Sequence, residues 1–441
     1  MRPGRSVATA ALFICALFAA CGGGDDDEGT PFPTLTPFPS PLAERLHAIR
    51  DRAARLRGLA PFDRVIEGTI TRETLAAYYD SSFEELDEEE RADIDASEVV
   101  LRLLGLIDAD DDLRSIFTEE FSGVIAGQYV PAEDRLVLVS VADGDIGISD
   151  EITLAHEYVH SFQDGAYDLD AFRERWAKSD LERDGYTQYS ETLACLIEGD
   201  ASLADELYAE QVFGPDWREQ AAAEEPPDSG GGEIDIPPFL LRSFAFRYNE
   251  CPAFVRSLYD EGGWAAVNAA FENPPDTTEQ VLHPDKYRSR ELANTGPPAD
   301  LTEDLDGWKR LDSAQFGEYD VFNYAVTLTG SPEAAVIAAA GWGSGWVRSY
   351  RDNENSARAV VQLSLGWDTR QDLFEFVSVF DAILAARGAQ VEPVSEGNIR
   401  WTAEGQLGVA FLDLTLNRVE IRIATDADAL ELATTELAAF N

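Results

Sequence analysis

Positive charge is scarce in this chain, and lysine is nearly missing from it. Among 441 residues, 34 are Lys or Arg against 83 Asp or Glu, a formal net charge of −49. The lysines are Lys178, Lys286 and Lys309, so arginine carries almost all the basic charge. Such a surplus of carboxylates repels nucleic acid and anionic lipid headgroups, and neither is an expected partner. Long apolar runs are also lacking. Residues 7–20 form one of 14 residues, short of the ~20 a spanning helix needs. No second run is long enough to span, so the body is expected to be soluble. Cysteine occurs four times and histidine four times (His47, His156, His160, His283). With so few histidines, their placement carries information.

Two of them fall in His156-Glu157-Tyr158-Val159-His160, an H-E-x-x-H pattern. At the frequencies of His and Glu in this chain, about 0.003 such matches are expected by chance. On a helix, residues i and i+4 share a face one turn apart, so two imidazoles can meet one metal ion. Glu157 is offset by about 100°, from where its carboxylate can reach a water on the metal without being a ligand. A pair of buried structural histidines is the plainer alternative. The flanks favour a helix over 150–163. Ser149 is placed to cap it, Asp150 and Glu151 suit its positive end, and Ile152, Ala155, Val159 and Phe162 form an apolar stripe. Upstream, 124–130 and 135–141 read as strands, joined through Pro131-Ala132-Glu133-Asp134 into a hairpin.

A catalytic zinc takes three protein ligands and keeps a fourth position open. Ser161 to Ala166 lack the glycine and third histidine of an extended H-E-x-x-H-x-x-G-x-x-H pattern. The third ligand is then expected from a second helix, and 184–210 reads as one, with Leu193, Leu196, Ile197, Leu203 and Leu207 apolar. Glu198 is embedded in that apolar stretch, where a carboxylate is costly unless it is paired or metal-bound. A partly exposed helix acid is the alternative. Glu191, seven residues earlier on nearly the same face, is the rival, but its polar neighbours suit a supporting role. Asp164 and Asp200 are candidates to accept the second N–H of a histidine, or else serve as cap or turn residues.

Two histidines and a distant glutamate resemble the gluzincin group of zinc metallopeptidases. More closely, the chain resembles an uncharacterised family of bacterial and archaeal surface lipoproteins. Its pattern is an H-E-Y-x-H-x-x-Q-D block, then E-G-D-A, then L-H-P-x-K-Y. Here these are His156 to Asp164, Glu198 to Ala201, and Leu282 to Tyr287. The likeness covers roughly residues 42–287 and continues more weakly beyond. Cys251 stands where the family is expected to have glycine. The resemblance implies a zincin-like scaffold, Zn²⁺ held by His156, His160 and Glu198, Glu157 as general base, and a peptide or protein substrate. It also implies a distal His or Tyr steadying the oxyanion, for which His283 and Tyr248 are the candidates. His283 could equally cap a helix. The alternative function, from another class, is a cell-surface binding lipoprotein whose zinc site is structural or vestigial.

The N-terminus is basic, then apolar, and reaches Cys21 through Ala19-Ala20. This reads as a lipoprotein signal peptide over 1–20 with Cys21 lipidated, holding the protein to the membrane at the cell surface or in the periplasm. Residues 21–41, rich in Gly, Asp and Pro, read as a tether. Outside the cytoplasm, Cys195 and Cys251 can pair or remain buried thiols. The expected fold is α+β, in two units. Residues 42–298 form a mainly helical zincin-like domain with a β-hairpin before the active-site helix. Residues 299–441 form an α+β domain with an antiparallel sheet. In the second, 316–340 and 370–387 read as helical, 358–367, 398–402, 407–414 and 418–424 as strands, and 427–439 as a last helix. The Gly341-to-Trp346 run reads as a compact turn, Pro226 to Gly232 as a loop beside the cleft, Gly262-Gly263 as a helix break, and His47 as a solvent-side residue.

Overall fold

The computed structural model describes residues 31–435, apart from 63, 140–145, 183–187, 225–234, 304 and 396. The expected signal peptide, residues 21–30 of the tether including Cys21, and the Pro226-to-Gly232 loop lie outside the described residues; the rest of the expected tether is part of the fold, with Phe32 and Leu35 buried and a helix starting at Ser40. Among the described residues no helix is long and apolar enough to cross a membrane.

The first half runs α1 (Ser40–Arg57), β1 (Ile66–Ile70), α2 (Arg72–Glu85), α3 (Glu88–Leu104), a short helical stretch over 113–124, β2 (Gly127–Val130) and β3 (Arg135–Val139). Then come α4 (Ile148–Tyr167), α5 (Leu169–Glu182), α6 (Tyr189–Phe213), α7 (Trp217–Glu224), α8 (Pro238–Asn249), α9 (Cys251–Glu272), α10 (Thr278–Leu282) and α11 (Pro284–Ser289). The second half runs β4 (Trp308–Gln315), α12 (Glu318–Thr329), α13 (Pro332–Ala339), β5 (Trp342–Asp352), β6 (Ala359–Trp367) and α14 (Arg370–Ala386). It ends with β7 (Gln390–Ser395), β8 (Asn398–Ala403), β9 (Gln406–Asp413), β10 (Arg418–Ala424) and α15 (Ala427–Ala433). The fold is α+β.

The expected hairpin is present: β2 and β3 pair antiparallel across Pro131–Glu133, with Asp134 at φ +51° closing the turn. Its first strand is shorter than expected, because the chain is still helical at Val124. β1 adds parallel to β3, giving the order β1-β3-β2 and leaving one edge of β2 outside the ladder. One face of this sheet (Tyr129, Leu136, Leu138) packs with α1, α4 and α6. The other face (Ile70, Val137, Val139) packs on α2. The H-E-x-x-H helix begins earlier than its sequence suggests. Ser149 lies inside it, and the N-terminus is capped instead by Asp150, which accepts from Gly147 N–H (2.9 Å), and Glu224, which accepts from Ile148 N–H (2.7 Å).

In the second half the seven strands lie in the order β4-β5-β6-β10-β9-β8-β7, antiparallel throughout. The run from Trp342 is a strand and not a turn. Its glycines serve close approach: a Cβ at Gly345 would lie 2.0 Å from the Phe316 carbonyl, and the Trp342 indole N–H donates to the same oxygen (3.0 Å). The boundary expected at residue 298 separates chain segments but not cores. Val99, Leu101 and Leu103 of α3 share one hydrophobic cluster with Val347, Leu363 and Ile421 of the seven-stranded sheet. On the opposite face Tyr350, Val360 and Ala424 pack with α15.

Candidate metal centre

Helices α4 and α6 meet in the first-half core, with Ala155 and Val159 against Ala201, Ala204 and Tyr208. A Cys195–Cys251 disulfide ties α6 to α9, so the expected pairing is present. Just beyond it a Cβ at Gly199 would lie 2.7 Å from the Cys251 carbonyl. The two helices therefore touch backbone to side-chain-free backbone beside Glu198. This seats Glu198 opposite the two histidines.

The Nε2 atoms of His156 and His160 are 3.0 Å apart, and Glu198 Oε2 is 3.2 Å from the first and 3.4 Å from the second. A tetrahedral ion with bonds near 2.05 Å holds its ligand atoms about 3.3 Å apart. All three sides of this triangle are close to that, and the three groups together could hold a metal ion.

The outer nitrogens are held by the protein. His156 Nδ1–H donates to Asp205 Oδ2 (2.8 Å), and His160 Nδ1–H to Gln163 Oε1 (2.9 Å). Gln163 Nε2–H donates in turn to Ile197 O (2.9 Å) and Asp200 Oδ2 (2.8 Å). Protons on Nδ1 leave both Nε2 lone pairs directed at the shared point.

Electrostatics agree. Burial opposes protonation of His156, yet Asp205 and Glu198 overcome it and hold the imidazole well above its ordinary range. Burial likewise opposes protonation of His160, and Glu198 again lifts it. Glu198 is pushed the other way: despite burial, the His160 and His156 imidazoles keep its carboxyl well below the usual range. Glu198, Asp205 and the two imidazoles thus make a cluster that gathers positive charge.

Glu157 lies beside the cluster, its carboxyl raised by burial, an effect His160 and His156 partly offset. The Tyr129 backbone N–H of β2 works in the same direction as the two histidines. Gly127 lets β2 come this close, since a Cβ there would meet Thr153 Cγ2 at 2.6 Å and Glu157 Cγ at 3.1 Å. His156, Glu157, His160 and Glu198 open onto a cavity of about 260 Å³ walled by β2, α5, the start of α6 and α8. Tyr248 lines it, its ring 6.2 Å from that of His156, and 42 % of its surface is open.

Other expected site residues lie elsewhere. His283 does not line the cavity; its Nε2 bonds Glu318 Oε1 (2.9 Å) at the start of α12, and that carboxylate raises its pKa against partial burial. A distal donor cannot be assigned from order along the chain alone, and here the tertiary fold turns His283 toward the second half. Lys286, from the same block, bonds Glu279 (2.6 Å), Glu291 (2.7 Å) and Asp368 (3.3 Å). Those three carboxylates are close enough to hold a cation, and the ammonium already fills the place. Glu191 faces Arg247 (3.7 Å) and is not part of the ligand triangle. Asp164 accepts from the Tyr129 hydroxyl (2.9 Å) and Leu169 N–H (3.0 Å) and supports the fold, not a histidine. Asp200 reaches His160 only through Gln163. Sequence reasoning missed Asp205 and Gln163 as the histidines' partners. Asp205 had a signal: it follows Glu198 by seven residues, two helical turns along one face.

Residues 302–434 match a protein family described as a domain of unknown function (DUF8575). That stretch takes in the seven-stranded sheet and none of the metal-cluster residues. No curated protein and no solved structure matches the chain.

Proposed function

We propose that the protein is a zinc-dependent metallopeptidase, of gluzincin type, acting on an extended peptide laid along β2. The observation that carries this reading is the convergence of two imidazole Nε2 atoms and one carboxylate oxygen within 3.4 Å, beside a separate buried carboxylate at an open cavity.

His156, His160 and Glu198 would hold the ion; two nitrogens and one oxygen suit zinc. Zinc, when bound, would supply Lewis acidity at the scissile carbonyl and make an attacking water more acidic. Glu157 is no member of the ligand triangle, so its carboxylate is free to take the proton of the attacking water and return it to the leaving amine. Its raised pKa suits both directions of transfer. The Tyr248 hydroxyl is the donor for the developing oxyanion. The edge of β2 left outside the ladder among the described strands offers the Gly127 backbone and the Tyr129 carbonyl for ladder bonds to the substrate. The open cavity also argues against a purely structural site, which would close all four positions with protein. A lipid anchor on Cys21 would hold this activity at the outer face of a membrane.

The test is metal content and peptide cleavage measured together on residues 31–441, wild type against Glu157→Gln. One zinc per chain in both, with cleavage reduced about 10²-fold or more in the variant, is the expected result. Zinc in both without cleavage by either would favour the binding-lipoprotein reading. A wild type that binds no zinc would remove the basis of the proposal.

A further inference from the structure

We infer that Arg57, which lies outside the cavity at the end of α1, is a positioning residue for the metal centre, acting through Asp200 and Gln163 on His160. The inference rests on the metal-site reading above and extends it to a helix which that reading does not use.

The argument begins at Gln163. Its Nε2 faces two acceptors, the Ile197 carbonyl and Asp200 Oδ2. An amide turned over would set its oxygen against both, so the oxygen must face His160. The imidazole therefore carries its proton on Nδ1 and leaves Nε2 for the ion. What keeps the amide from turning is the Asp200 carboxylate. Asp200 is itself held by Arg57, whose Nε–H donates to Oδ1 at 2.5 Å.

Arg57 is held at two of its three nitrogens, Nε and Nη2, while the buried Nη1 has no hydrogen-bond partner among the described residues. Its Nη2 donates to Asn268 Oδ1 (2.7 Å), and its guanidinium lies 4.5 Å from the Trp264 ring. The Trp264 indole N–H is tied back to the Leu56 carbonyl (2.6 Å). Gly263, at φ +61°, breaks α9 just before this tryptophan. Arg57, Asp200 and Gln163 are each 0 % exposed. A fully buried ion pair is a poor way to gain stability, since an apolar pair of equal volume does as well or better. What an apolar pair cannot do is hold an amide in one of its two orientations. α1 is also tied directly to α4, between Arg45 and Glu151 (2.6 Å), with 39 % of the Arg45 side chain open to solvent. That pair anchors the same helix, α1, without touching the relay, and so supplies the control.

Without the guanidinium the Asp200 carboxylate can turn, and Gln163 loses what orients it. With Asp200→Asn the Gln163 amide can turn over, present an N–H to Nδ1 and send the imidazole proton to Nε2, the metal-facing atom. Both changes should weaken the metal site without touching it.

The experiment loads the full chain with cobalt(II), reads the affinity by chelator competition and records the visible d–d band. Wild type is compared with Arg57→Met, Arg57→Lys, Asp200→Asn, Gln163→Met and Arg45→Met, each checked for folding by circular dichroism. Expected are a 10- to 100-fold loss of cobalt affinity and an altered band in Arg57→Met, Asp200→Asn and Gln163→Met. Arg57→Lys should recover part of the loss. Arg45→Met should keep both affinity and spectrum even where it melts lower. Should Arg57→Met not fold, Asp200→Asn and Gln163→Met decide in its place. Folded variants with wild-type affinity and band would overturn the inference while leaving the metal site intact. A wild type that takes up no cobalt would overturn the metal reading and this inference together.

Discussion

In the proposed metal site each imidazole would give one nitrogen to the ion and the other to the protein. Asp205 is the protein's hold on His156, so Asp205→Asn should lower zinc affinity roughly 10- to 100-fold, as measured by chelator competition. Both histidines hold protons more tightly than usual, and an ion must displace those protons. Apparent zinc affinity should therefore climb with pH through and above the ordinary histidine range; a flat profile would mean that these imidazoles are not ligands. Away from the site, burial pushes Asp320 up to about 7. Its folded pKa lies above its unfolded one, so its contribution is full below about pH 4 and is lost as pH rises through 7. Asp320→Asn keeps an oxygen for the Gly317 N–H. It should be more stable than wild type at pH 8, on the order of 1 kcal/mol, and lose that advantage near pH 5. Melting curves at both pH values decide it, and an equal difference at both would exclude the titration. At this scale Glu198 was legible because a carboxylate in an apolar helical stretch needs a partner. His283 was misleading, because a histidine's neighbours are not written beside it in the chain.

Elements were legible wherever periodicity is local. The H-E-x-x-H helix and strands β6, β8, β9 and β10 fall within a few residues of their expected ends. β1 was not found. It is five residues long and pairs parallel with β3, a partner more than 60 residues further on. β5 was misread because glycine commonly marks turns, whereas here the glycines let Asn294 and Phe316 approach the strand. Two predictions belong to elements. Gly127→Val must push β2 away from Thr153 and Glu157; peptide cleavage should fall at least ten-fold through poorer substrate alignment, with zinc content unchanged. A loss of zinc in that variant would instead show β2 to be part of the ion's support. The Cys195–Cys251 bond spans 56 residues, for which chain entropy gives about 4 kcal/mol. Replacing both cysteines with alanine should lower the denaturant midpoint accordingly. A midpoint within error of wild type would show that Gly199 and the surrounding packing hold α6 to α9 unaided.

At the scale of the whole molecule the two expected units are interlocked. α3 belongs to the first segment of the chain but supplies core to the seven-stranded sheet. Arg351 of β5 is paired with Asp95 of α3, and Lys286 reaches Asp368 across the same junction. Residues 31–298 expressed alone would expose that face of α3 and leave the sheet without one of its covering helices. They should aggregate or remain poorly folded, while the full chain melts in one transition. Two well-separated transitions, with the shorter piece folding normally, would restore the boundary as a domain boundary.

The sequence alone determined the α+β class, the helix that carries His156, Glu157 and His160, and the second helix that carries Glu198. These rest on spacing within a helix or strand, or on the cost of a buried carboxylate, and both are local properties of the chain. Only the tertiary structure decided which groups hold the outer histidine nitrogens, that His283 and Lys286 serve the junction between the halves, and that α3 completes the second core. Apart from Gln163, three positions from His160 on the same helix, those outcomes join residues from 35 to more than 250 positions apart. No periodicity records them; they follow from which apolar faces bury one another and from which buried polar groups must then find a partner.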